Sequence, residues 1–198
     1  MLVNIWATVT HFGDFYFSGC KESNGLDLNL LISEKLQGRV GGKQTWMVNS
    51  VYRCPGDTRT LLRDSYKVIR DAQESYLVLF TPGFADVLSE VPMKFVERYT
   101  RQIYKQSKVF NKKIIALLVG VPSGCDSDIT KRINDLNEIV RKLLKEYEGE
   151  AVDLRNIFYK SWTNQGSRPN DLDEVADKIS EAIINLHPSM DKWKEIHS

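Results

Sequence analysis

Three cysteines in 198 residues, Cys20, Cys54 and Cys125, are too few and too oddly spaced for a disulfide framework or a zinc site, so the chain must hold together by packing. No metal and no cofactor is expected. Histidine is as scarce, with only His11, His187 and His197. No Lys or Arg precedes Lys21 and no long apolar run occurs, so neither an ordinary secretory signal nor a membrane span is expected. A cytoplasmic or nuclear location without a membrane partner follows as the expectation. Charge of one sign is also missing: 27 Lys and Arg stand against 26 Asp and Glu, which excludes a global field and makes any electrostatic site local.

What is present is enough apolar sequence, 42% of the residues, to fill one core rather than two. We expect one domain over residues 1–187 and a tail, 188–198, that packs through Trp193. The run Tyr76-Leu77-Val78-Leu79-Phe80 has no polar alternation, as a strand covered by helices on both faces requires. It ends at Thr81-Pro82-Gly83, and turns past the carboxyl ends of such strands are where ligands and catalytic groups collect.

Strands are expected at Val3–Phe12, Gln44–Arg53, Tyr76–Phe80, Lys113–Val121 and Ala151–Ile157. Helical spacing places helices between them and after them. These are the region around Leu26 to Leu36, then about 59–72, 91–107 and 126–148, and a last helix beginning at Asn170 or Asp171. Strict alternation of this kind, with right-handed crossovers, argues for an α/β, flavodoxin-like three-layer sandwich whose five parallel strands lie in the order 2-1-3-4-5.

The turns of this frame resemble those of the SGNH (GDSL-type) hydrolases, enzymes that hydrolyse ester bonds, over nearly the whole chain. Gly13-Asp14-Phe15 is similar to the family's Gly-Asp-Ser, and Gly56 stands where the family keeps an oxyanion glycine. Gly83-Phe84-Ala85-Asp86 resembles Gly-x-Asn-Asp, and Gln165-Gly166-Ser167-Arg168 followed by Pro169-Asn170-Asp171 resembles Asp-x-x-His with its trailing Pro-Asn-Asp. The backbone-shaping residues are kept and the chemical ones replaced. Phe15 stands for the nucleophile, Ala85 for the oxyanion Asn, Gln165 for the Asp and Arg168 for the His.

Ester attack by a hydroxyl needs that nucleophile, a base and oxyanion donors, so the resemblance implies a domain without catalysis. Catalytically silent SGNH-like domains that bind RNA exist, the carboxy-terminal domain of the germ-plasm protein Oskar among them, and SGNH-like domains occur in retrotransposon proteins. The alternatives are an esterase or acetylesterase with a rebuilt site, for which Ser18, Cys20 and Ser167 are the spare nucleophiles, and a protein-interaction scaffold anchored by Trp162 or Trp193.

Between positions 94 and 113 the cations Lys94, Arg98, Arg101, Lys105, Lys108, Lys112 and Lys113 meet only Glu97. Lys94, Arg98, Arg101, Lys105 and Lys108 recur at helical spacing and share a face. RNA or a protein is the expected partner of such a stripe, and a solvated helix face is the plain alternative. Arg168 at the mouth of the former cleft suits a bidentate contact to phosphate or carboxylate. Tyr99 and Tyr104 lie on the same helix, and Tyr99 reads as the more buried of the two.

Overall fold

The computed structural model describes residues 5–14, 28–39, 44–53, 56–72, 75–81, 83–157 and 172–186. Five strands alternate with helices: β1 (Ile5–Asp14), α1 (Leu28–Arg39), β2 (Gln44–Arg53), α2 (Thr58–Asp71), β3 (Ser75–Thr81), α3 (Phe84–Leu88), α4 (Met93–Val109), β4 (Lys113–Leu118), α5 (Ser127–Tyr147), β5 (Glu150–Asp153) and α6 (Leu172–Leu186). The sheet order is β2-β1-β3-β4-β5, and every neighbouring pair is parallel. This is the expected α/β frame, with the apolar run at its centre. Leu77 to Phe80 and Ile114 to Leu118 are buried without interruption, as strands covered on both faces must be.

Helices α1 and α6 pack together, tied by Lys35 to Asp173 and Asp177 and by Arg39 to Asp177. Helices α2, α4 and α5 pack side by side. Right-handed crossovers from β1 to β2, and from β2 back across the sheet, put these two groups on opposite faces.

The caps are local chemistry. Asp57 accepts the Thr60 amide at 2.6 Å to start α2, and Asp126 accepts the Ile129 amide at 2.7 Å to start α5. Helix α5 ends with Glu148 in the left-handed region at φ 55°, followed by Gly149, where a Cβ would lie 2.5 Å from Leu144 Cδ2 and 2.9 Å from the Ile114 carbonyl oxygen. Only glycine lets the chain pass that close to β4.

Two strand ends differ from the expectation. β4 stops at Leu118 because the Asn137 side chain takes both backbone groups of Val119, its Oδ1 accepting the amide at 3.0 Å and its Nδ2 donating to the carbonyl at 2.8 Å. β5 pairs only as far as β4 lasts, and the turn closed by Ile157 N–H to Leu154 O follows. Between the break expected at Thr81-Pro82-Gly83 and the helix expected from 91 lies a further short helix, α3. The tail 188–198 and its Trp193 lie outside the described residues.

Candidate functional site

β1 and β3 end in register, with Phe12 opposite Phe80 and Gly13 opposite Thr81, so the turns that follow them open at one edge of the sheet. The turn after β2 joins them there. Gly56 is buried, and its carbonyl oxygen lies 3.1 Å from where a Cβ on Gly83 would stand. Asp86, 1% exposed, reaches across from α3: its Oδ2 accepts the Thr58 backbone amide at 2.8 Å and its Oδ1 accepts the Thr58 hydroxyl at 3.2 Å. A carboxylate on the first amides of α2 is well placed, because those N–H groups have no partner inside the helix and carry the positive end of its dipole.

Gly83 is required by this bond, since its Cβ would sit 2.3 Å from Asp86 Oδ2. The cleft residues that match the SGNH pattern, Gly56, Gly83 and Asp86, are therefore those that hold the two turns together. Ala85, the residue before Asp86, is half-buried in the first turn of α3.

From the other side Arg132 of α5 grips the end of α3. Its guanidinium donates to the carbonyls of Val87 at 3.0 Å, Asp86 at 3.1 Å and Val91 at 2.7 Å, adding a second donor to the Val87 and Asp86 oxygens that already accept the Glu90 and Val91 amides.

Three groups of types used in catalysis, on Thr58, His11 and Cys125, are unsuited to that role. The Thr58 hydroxyl is fully buried and committed to Asp86. His11 is 1% exposed inside β1, its Nδ1 lying 3.1 Å from Asn29 Oδ1, which makes it the satisfied core histidine that its place in a strand suggests. Burial and the adjacent Asp126 push the Cys125 thiol up, away from the thiolate form a nucleophile needs. Among the described residues no three His, Cys, Asp or Glu side chains are grouped to hold a metal ion. Phe15, Gln165 and Arg168 lie outside the described residues, as do Ser18, Cys20, Cys54, Ser167 and Trp162.

The basic stripe is placed on α4, which buries Val96, Thr100, Ile103, Tyr104 and Ser107 against the sheet. Its near-absence of acidic neighbours in sequence does not survive folding. Arg101 pairs with Glu97 at 3.0 Å and with Glu146 of α5, Lys108 pairs with Glu148, and Lys142 reaches Glu97 at 2.8 Å. These contacts raise the Arg101 pKa, chiefly through Glu146, and lower that of Glu97, chiefly through Lys142.

Lys94, Arg98 and Lys105 point outward and make no ion pair among the described residues. The tyrosine expectation is reversed as well: Tyr104 is wholly buried, edge-on to Phe80 and Tyr147, whereas Tyr99 is half-buried and stacked on the exposed Phe95. Phe95 escaped the sequence reading, although its spacing of four from Tyr99 was the signal.

Taken together, the sheet order, the helix layers and the position of the turns are those of the SGNH (GDSL-type) hydrolases, and that fold is what the chain shares with solved structures. An acetyl xylan esterase, AlAXEase, superposes with a TM-score of 0.71 at 17% identity, covering 89% of this chain and 99% of the esterase. TesA gives 0.65 at 13% identity over 92% of this chain and 99% of its own length. A lipolytic protein of the G-D-S-L family from Desulfitobacterium hafniense DCB-2 gives 0.67 at 12% identity over 89% and 99%. No protein-family model and no curated protein sequence matches the chain.

Proposed function

We propose that this domain is a non-catalytic SGNH-fold module that binds RNA through the basic face of α4. The observation that carries the reading is the outward row Lys94, Arg98 and Lys105, which no acid neutralises among the described residues although the neighbouring cations Arg101 and Lys108 are each paired. Cations left free on a helix whose other charges are matched suit phosphates, which exchange their condensed counterions for such contacts. Arg101 and Lys108 border the row, and Arg168 belongs to the proposed set by its sequence position. Loss of catalysis is supported by Phe15, Ala85, Gln165 and Arg168 at the four chemical positions of the pattern.

The second reading, an esterase with a rebuilt site, draws on the likeness to AlAXEase, TesA and the G-D-S-L protein. It needs a nucleophile with a base in line, and the Thr58 hydroxyl beside Asp86 is fully buried. Two assays on the full chain separate the readings. RNA retention that falls with salt, together with no hydrolysis of short acyl esters above a no-protein control, supports the binding module. Ester turnover lost on Ser18→Ala or Cys20→Ala overturns it, and a protein that ignores RNA at low salt is a protein-interaction scaffold.

A further inference from the structure

Resting on that reading, we propose that the face shared by α4 and α2 is selective for single-stranded RNA, its bases stacking on the Phe95–Tyr99 ring pair while its phosphates lie along Lys94, Arg98 and Lys105. Helix α4 carries three rows with nearly the same spacing. Glu97, Arg101 and Lys108 turn toward α5 and are consumed by Lys142, Glu146 and Glu148. Lys94, Arg98 and Lys105 form the next row, at the crest, about 16 Å from end to end at the helical rise. Phe95, Tyr99, Gln106 and Phe110 form the third, and its far end is fixed against α2 by the Ser65–Gln106 hydrogen bond and by the Tyr66–Phe110 edge contact at 5.5 Å.

The third row is aromatic where it is open. The Phe95 and Tyr99 rings are 6.4 Å apart and within 20° of parallel, and Phe95 remains 37% exposed. Lys94 Nζ lies 5.2 Å from the Phe95 ring centre, so one residue serves the cationic and the aromatic row at once. Across the helix pair, Tyr66 is 53% exposed with the Arg70 guanidinium 5.9 Å from its ring, and Arg59 and Arg63 are exposed on α2. Both helices run against the parallel strands, so α2 and α4 are parallel, and the Ser65–Gln106 and Tyr66–Phe110 contacts set α4 to begin about two turns ahead of α2.

Exposed rings are costly to keep in water, and two of the large exposed apolar side chains described in this chain, Tyr66 and Phe95, fall on this one cationic face. A protein partner would bury the rings as well, and it is the unmatched cation row beside them that favours phosphates. A duplex would use the cations alone, since its bases are stacked internally, whereas a single strand offers free base faces for rings and phosphates for the crest.

The test is fluorescence anisotropy of the full chain with a labelled single-stranded RNA and with a duplex of the same length, at low and moderate salt. The wild type is expected to bind the single strand more tightly. Phe95→Leu with Tyr99→Leu should weaken single-strand binding about five-fold or more while leaving duplex binding and the salt slope unchanged. Arg98→Glu with Lys105→Glu should weaken both. Phe95→Leu alone, at an exposed position, guards against a folding defect and should move in the same direction with an unchanged melting temperature. If the charge pair weakens binding and the ring pair does not, the stacking inference is overturned and RNA binding stands. If neither RNA is bound at low salt, both fall, and retention of an acidic polypeptide instead marks a protein interface.

Discussion

Asp86 and Thr58, 28 residues apart, are joined twice, through the backbone amide and through the hydroxyl, inside the edge of the sheet where an SGNH enzyme would work. Asp86→Ala would leave the buried Thr58 amide without a partner, a loss of about 2 to 3 kcal/mol. Urea unfolding at neutral pH measures it. Gly83→Ala should cost a similar amount, because its Cβ would collide with the same carboxylate at 2.3 Å and force the two turns apart.

On the non-catalytic reading proposed above, a frame held by Gly56, Gly83 and Asp86 should accept an SGNH enzyme's chemistry. Phe15→Ser, Ala85→Asn, Gln165→Asp and Arg168→His made together are expected to bring Ser, His and Asp within about 3.2 Å of one another in sequence of contact, as a crystal structure would reveal. Turnover is expected to remain poor. A serine and histidine far apart in that structure would show that the motifs had been aligned wrongly.

Charge reversals along α4 should divide by row. Arg101→Glu places a third carboxylate beside Glu97 and Glu146 and should lower stability by about 1 kcal/mol or more, whereas Arg98→Glu, with no ion pair to lose among the described residues, should move it by less than about 0.5 kcal/mol. Thermal melts compare them directly. RNA retention should respond in the opposite order, more strongly to Arg98→Glu than to Arg101→Glu.

Acid should loosen the seam between α4 and α5. Lys142 and Arg101 hold the Glu97 carboxyl below its ordinary 4.5, and Lys108 does the same for Glu148. A carboxyl with a lowered folded pKa binds its proton more weakly when folded. Its stabilising effect is therefore complete above the unfolded value and is lost as pH falls through the folded one. Unfolding followed from pH 6 down to about pH 3 should show stability decreasing below about 4.5, with a shallower decrease in Glu97→Gln.

The frame of the molecule was legible in the sequence because its signals are local. The unbroken apolar run of β3, the Asp57 and Asp126 caps and the helical spacing of α5 each need only neighbours in the chain. What escaped depends on distant partners. Val119-Gly120-Val121 reads as strand, yet Asn137 takes the Val119 amide and carbonyl that a strand would have used. The stripe on α4 reads as unmatched because Glu146 and Glu148 arrive from another helix, 45 and 40 positions from the cations they meet. Tyr104 was the legible exception: with Val96, Thr100, Ile103 and Ser107 it completes a buried helical face, and that spacing was open to reading.

The three carbonyls held by Arg132 give residues 83–91 a property of their own on the timescale of hours. A helix of five residues cannot persist alone, and here its end is bolted to the second turn of a 21-residue one. Local fraying of α3 would have to break that grip, so its amides should exchange with deuterated solvent only when α5 itself lets go, in step with the slowest core amides of β4. Arg132→Ala should uncouple the two, so that residues 84–91 exchange early while α5 keeps its protection. The edge of this sheet that would carry an enzyme's chemistry would then be seen, residue by residue, to be among the last parts of the molecule to open.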